Sequence, residues 1–135
     1  MREIKFRAKS TETKLHTAQW RFGSLLMPSN EACKPAIFQR FPKPMRDGNG
    51  YWYEVEADTV GQYTGKKDVN KKEIFEGDVV FFLDDRAHER IGVIKWHEKM
   101  YCWIIDCGEA GRDMLAYYAC EIRGNVHDNP ELIKK

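Results

Sequence analysis

The chain has 135 residues, a formal net charge of +1, and 42% hydrophobic, 32% charged and 13% aromatic residues. This length fits one domain, or one domain with an N-terminal extension, and the aromatic content excludes a disordered chain. No apolar run approaches the ~18 residues of a membrane span, and no apolar stretch follows the basic start as in an export signal, so the cytoplasm is the expected setting.

EIKFRA alternates Ile4, Phe6 and Ala8 against Lys5, Arg7 and Lys9, the period of a half-buried strand. After the polar STET turn, HTAQWRF resumes the alternation through His16, Ala18, Trp20 and Phe22, so the first 22 residues read as a hairpin, with the register of its second strand left open. Pro28, Pro35, Pro42 and Pro44 weaken the signal that follows, leaving AIFQRF as a short edge strand. DGNG is a turn, and YWYEVEA after it has the aromatic and β-branched bias of a central strand.

Short strands then recur between turns: VGQYT, VVFFL, IGVIKW and YCWIID, the spacing of a small barrel or sandwich. MLAYYACEI fits a helical face through Leu115, Tyr118 and Ile122 as well as an extended segment, and both readings stay open. In DNPELIKK, Asn129 has the cap chemistry, Pro130 suits the first helical position, and Lys134 and Lys135 favour the negative end, giving a short C-terminal helical turn.

Candidate chemistry is sparse. Asp68 and Asn70 match positions 1 and 3 of a calcium loop, but Lys72 and Glu73 stand where an oxygen ligand and a glycine are needed, so a plain polar turn is expected. His97, Cys102, Cys107 and Cys120 lack a knuckle spacing, and on one extended strand an offset of five alternates faces. With Cys33 these cysteines read as free thiols, although the even count also permits bridges. Nucleotide-loop, nucleophile-elbow and zinc-helix motifs are missing, so neither a catalytic residue nor a metal or cofactor is expected.

A binding surface has more to recommend it. Arg21, Lys34, Arg40, Lys43 and Arg46 interleave with Trp20, Phe22, Phe38 and Phe41, combining cations for phosphates with rings that stack on bases. The rival account makes these aromatics core and these cations solvated. Charge is also uneven: residues 1–50 hold 10 Lys+Arg against 4 Asp+Glu, and residues 51–135 hold 12 against 17. Such a contrast favours docking within one chain, head-to-tail assembly, or an acidic partner.

The start MREIKFRA, the central QYTG followed by KEIFEGDVV, and the close GNVHDNPEL resemble the YopX protein family of bacteriophages and prophages. The chain departs from the family pattern at Lys9, where tryptophan is common, and at Lys71, where glycine is usual; without that glycine, Asn70 is expected to take any left-handed conformation. The resemblance implies a small SH3-like β-barrel over residues 51–135. It also implies an N-terminal β-extension over residues 1–50 that does not fold alone, homo-oligomers, and no enzyme activity.

The motif residues Gln62, Tyr63, Thr64, Gly65, Glu76, Gly77, Asp78, Gly124, Asn125, Asn129 and Pro130 then read as architectural, with Glu76 to Asp78 forming a corner. The expected protein is a non-enzymatic phage or prophage accessory factor of the host cytoplasm. It acts through self-association and a macromolecular partner, away from membranes. The alternative is a nucleic-acid binder using the basic, aromatic first half.

Overall fold

The computed structural model describes residues 2–15, 17–46 and 48–133. It is mainly β, with 53% of residues in strands of two antiparallel sheets. The chain forms two compact units, Met1–Gln62 and Tyr63–Lys135. Gly50 lies inside the first of these units.

In the first unit, β1 (Phe6–Lys9), β2 (Trp20–Leu26), β3 (Ala36–Met45) and β4 (Gly48–Glu54) lie in the order β4-β3-β2-β1. The hairpin of β1 and β2 forms with Phe6 opposite Gly23 and Lys9 opposite Trp20. The register of its second strand, left open by the sequence, leaves Phe22 exposed and Trp20, Arg21, Gly23 and Leu25 partly buried. His16 lies outside the described residues.

The expected edge and central strands also exchange places. β3 lies between β2 and β4, and β4 ends the order. Pro42 and Pro44 do not interrupt a regular ladder, because they fall between Arg40 and Met45, where the β3–β4 register shifts. Of the expected DGNG turn, Gly48, Asn49 and Gly50 belong to β4, and Asp47 lies outside the described residues. The small core of this unit comprises Ala8, Ile37 and Val55, with Phe6, Leu25, Tyr53 and Val60 packed against it.

β5 (Gly61–Lys67) begins opposite β1, with Gly61 facing Arg7 and Gln62 facing Phe6. From Tyr63 onward it pairs with β6 (Glu73–Phe75) in the second unit. That unit continues with β7 (Asp78–Leu83), β8 (Glu89–His97), β9 (Cys102–Asp106), β10 (Arg112–Met114) and β11 (Cys120–Asn125), in the sheet order β10-β9-β8-β7-β11. Ile74, Val80, Phe82, Ile94, Ile105, Leu115 and Cys120 form its core. The two-sided burial expected for VVFFL holds at Val79 and Val80, both fully buried.

The expected SH3-like barrel is not closed, since no ladder among the described residues joins β10 to β11. The outer edge of β11 is already occupied by the turn after β5: Val69 N donates to Cys120 O at 2.9 Å, and Ile122 N donates to Asp68 Oδ2 at 3.1 Å. At the other end, β10 has three residues and leads directly into a 3-10 turn at Leu115–Tyr117. MLAYYACEI therefore contains both of the open alternatives, a helical turn and then a strand.

Between β6 and β7 the chain crosses from the β5 ladder to the five-stranded sheet. Gly77 makes this corner at φ 91°, a conformation costly for a residue with a Cβ. Its N–H donates to Ile94 O and its carbonyl accepts from Val126 N, both at 2.9 Å. The buried Asp78 carboxylate accepts from Phe75 N at 2.8 Å, tying the two sides together. Glu76 is partly exposed between them.

Candidate nucleic-acid interface

Alternation along the first-unit strands sorts their side chains onto two faces. Ile37, Leu25 and Tyr53 share one face through the pairs Leu25–Ile37 and Ile37–Tyr53. Ser24, Phe38 and Trp52 are in register on the other. Arg21 belongs to the first face, where its guanidinium lies 3.8 Å from the centre of the Tyr53 ring. Trp20 and Phe22 belong to the second.

The second face is both aromatic and basic. Phe22 is 41% exposed and Trp52 50%, and Phe38 packs against Trp52 with ring centres 5.1 Å apart. Arg7 and Lys9 from β1 lie over the Trp20 ring at 4.7 and 5.6 Å, fixing that ring through cation–π contacts. Beyond the Ser24–Phe38 pair, β2 and β3 part, and Phe22 N donates to the Gln39 side-chain oxygen at 2.9 Å. The opening forms a trough of about 700 Å³ bordered by Ile4, Lys5, Phe22, Phe38, Arg40 and Pro42.

Gly23 permits this close strand approach, since a Cβ there would fall 1.9 Å from Phe38 O. Lys5 is partly buried and pairs at 3.4 Å with the exposed carboxylate of Glu3. Arg40 is exposed.

Of the residues singled out from sequence, Trp20, Phe38 and Arg40 therefore share one face. Arg21 occupies the opposite face, and Lys34 forms a 2.8 Å ion pair with Glu56. That bond, the largest influence, raises the Lys34 ammonium above its ordinary pKa. Lys43 and Arg46 are exposed toward the β3–β4 turn. Lys5, Lys9 and Trp52, which the sequence reading did not select, complete the surface, with Arg7 buried at its base against Trp20. The signal was present in the outward phase of EIKFRAK and in the single tryptophan of YWY.

The YopX-motif residues are architectural in position. Tyr63 stacks on Phe75 with ring centres 5.5 Å apart, and Thr64 Oγ1 donates to Ile74 O at 2.9 Å. Gly65 falls where the β5–β6 register shifts. The following Lys66, which the sequence reading did not select, donates its ammonium to Leu115 O at 2.6 Å and to Tyr118 O. Gly124 marks the corresponding shift in β11.

The Asn125 side chain accepts from His127 N and Asp128 N at 3.0 and 2.9 Å. Asn129 does not cap the turn at Pro130–Leu132; its side-chain oxygen instead accepts from Asn125 N at 3.3 Å. Lys134 and Lys135 lie outside the described residues.

The Asp68 carboxylate accepts from Asn70 N, Lys72 N and Ile122 N at 2.8, 2.9 and 3.1 Å. Burial opposes its ionisation most strongly, but these three amides and the nearby Lys72 charge together hold its pKa below the ordinary value. Lys71, rather than Asn70, takes the left-handed conformation, at φ 66°. His97 faces Cys102 across β8 and β9, so the two are cross-strand partners rather than residues of one strand.

Among the described residues, no group of three or more His, Cys, Asp and Glu converges as metal ligands. All four cysteines are free, and burial, the largest cause, pushes the Cys107 and Cys120 thiols up. Such thiols are weak nucleophiles at neutral pH. No helix among the described residues is long and apolar enough to cross a membrane.

Cutting the chain at the observed boundary reduces the charge contrast. Residues 1–62 carry 10 Lys+Arg against 7 Asp+Glu, and residues 63–135 carry 12 against 14. The contrast falls to +3 against −2.

These features define a mainly β protein with an exposed basic, aromatic sheet surface. The YopX protein family matches residues 5–134, and the chain belongs to that family. It is also similar to the crystal structure of protein EF1440 from Enterococcus faecalis, with a TM-score of 0.52 and 24% identity over 99% of this chain and 100% of that one. That likeness concerns the fold. No curated protein matches the chain.

Proposed function

We propose that this YopX-family protein is a non-enzymatic accessory factor of phage or prophage origin, acting in the host cytoplasm, and that its macromolecular partner is a nucleic acid bound on the β1–β4 face. The supporting observation is the exposure of Phe22 and Trp52 on the same sheet face as Lys5 and Arg40. Large aromatic rings left in water retain an unfavourable apolar exposure, which a base can cover while the neighbouring cations meet its phosphates.

Filter binding of a mixed-sequence oligonucleotide tests the reading. Retention at ~50 mM salt should fall steeply as salt is raised, because bound phosphates release counterions. No retention at that low salt would defeat it. Affinity capture from infected cells with and without nuclease supplies the cellular counterpart.

Self-association remains part of the proposal, supported by the position of β4 at the end of its strand order with Tyr51 and Trp52 exposed. Strand edges of this kind accept a further strand. A single-chain mass in light scattering across a wide concentration range would remove this part.

A further inference from the structure

We infer that the β1–β4 face selects single-stranded over double-stranded nucleic acid, with Phe22 and Trp52 as base-stacking platforms and Lys5 and Arg40 as phosphate contacts. This inference rests on the nucleic-acid reading above and specifies the form of the ligand.

The trough exists because β2 and β3 separate after Ser24 and Phe38, while the Gln39 side chain takes over the Phe22 amide. The separation leaves Phe22 on one side and Phe38 on the other, with Lys5 and Arg40 along the same trough. Phe38 is supported from below: a Cβ on Gly50 would lie 2.8 Å from its ring tip, and Trp52 packs beside it. Phe22 and Trp52 keep the greater exposure and present the surface open to a ligand.

A duplex offers phosphates but buries the faces of its bases, so it engages the cations and leaves both rings uncovered. An unpaired strand satisfies both groups. Three strand spacings of about 4.8 Å give the face a width of about 14 Å, comparable to four-stranded RNA-binding sheets that stack about two or three bases.

Fluorescence anisotropy with a labelled short deoxythymidine oligonucleotide, free or annealed to its complement, provides the test at ~50 mM salt. Single-strand affinity should exceed duplex affinity by about tenfold or more, the equivalent of one stacked base. Phe22→Ala and Trp52→Ala should each weaken single-strand binding by about 5- to 150-fold while leaving duplex binding unchanged. Lys5→Ala and Arg40→Ala should each reduce the single-strand salt slope by about 0.7.

Tyr117→Ala, an exposed substitution in the second unit, should change neither affinity. Melting curves establish that the variants remain folded; if Trp52→Ala is destabilised through its contact with Phe38, Phe22→Ala carries the comparison alone. Equal single-strand and duplex affinities with a silent folded Phe22→Ala would overturn the selection while preserving nucleic-acid binding. Failure of both ligands to bind would overturn both readings.

Discussion

The two units use their aromatic residues differently. In the second, Phe82 is 1% exposed and stacks on Tyr118, with ring centres 5.1 Å apart, inside a core supplied by several elements. In the first, the buried cluster is only Ala8, Ile37 and Val55, while Phe22, Leu26 and Trp52 remain substantially exposed. The second unit exposes rings as well, Trp96 at 39% and Tyr101 and Tyr117 at 76%, but the latter two lie in turns between strands rather than across a sheet face. The first leaves a surface that packing does not explain, so aromatic content alone does not distinguish a core strand from a binding strand.

The largest expected contrast comes from equivalent truncations in the two units. Phe82→Ala should lower the unfolding free energy by about 3–5 kcal/mol, because it empties a filled core position. Phe22→Ala should change stability by about 0.5 kcal/mol or less, the usual range for a surface substitution. Equilibrium denaturation distinguishes these outcomes. A comparable loss from both would erase the difference between core and surface.

A smaller loss tests the turn that covers β11. Asp68→Ala should cost about 2–3 kcal/mol, since three amides lose a charged acceptor. Folding lowers the Asp68 pKa from its ordinary 3.8, so its stabilising contribution is full above that value and disappears as pH falls through the lower folded-state value. Asp68→Asn, which removes this titration, should flatten the acid-side loss of stability in unfolding curves between neutral and strongly acidic pH.

A smaller effect than the loss at Asp68 is a gain. Lys71→Gly should raise the melting temperature through a net stabilisation of about 0.5–1 kcal/mol: it relieves left-handed strain, and glycine's greater unfolded-state entropy offsets part of the benefit.

β7, β8 and β9 were legible because strong turn punctuation bounds their short apolar runs, whereas β6 and β10, three residues each, carry too little pattern to read. The first unit inverted two cues. Pro42 and Pro44 made β3 read as an edge, yet both occur beyond the regular Ala36–Arg40 pairing. The rival account of aromatics in the core and solvated cations fails in β2, where Arg21 packs on Tyr53 and Phe22 faces solvent. An arginine can bury its stem and stack its planar head, so alternation gives two faces without naming the inner one.

The candidate surface was legible only in fragments for the same reason. Trp20, Phe38 and Arg40 were selected, but their joining to Lys5 and Trp52 depends on pairings between distant segments. The barrel expected from the resemblance failed at another long-range feature: the Asp68 turn covers the edge that barrel closure would require.

Chemical-shift mapping during titration with a short unstructured oligonucleotide tests the central claim most directly. The account predicts saturable shifts at Lys5, Phe22, Phe38, Arg40 and the Trp52 indole, with Tyr117 and the Phe82 core little affected. Shifts concentrated at the second-unit core or its turns, with the β1–β4 face silent, would contradict it.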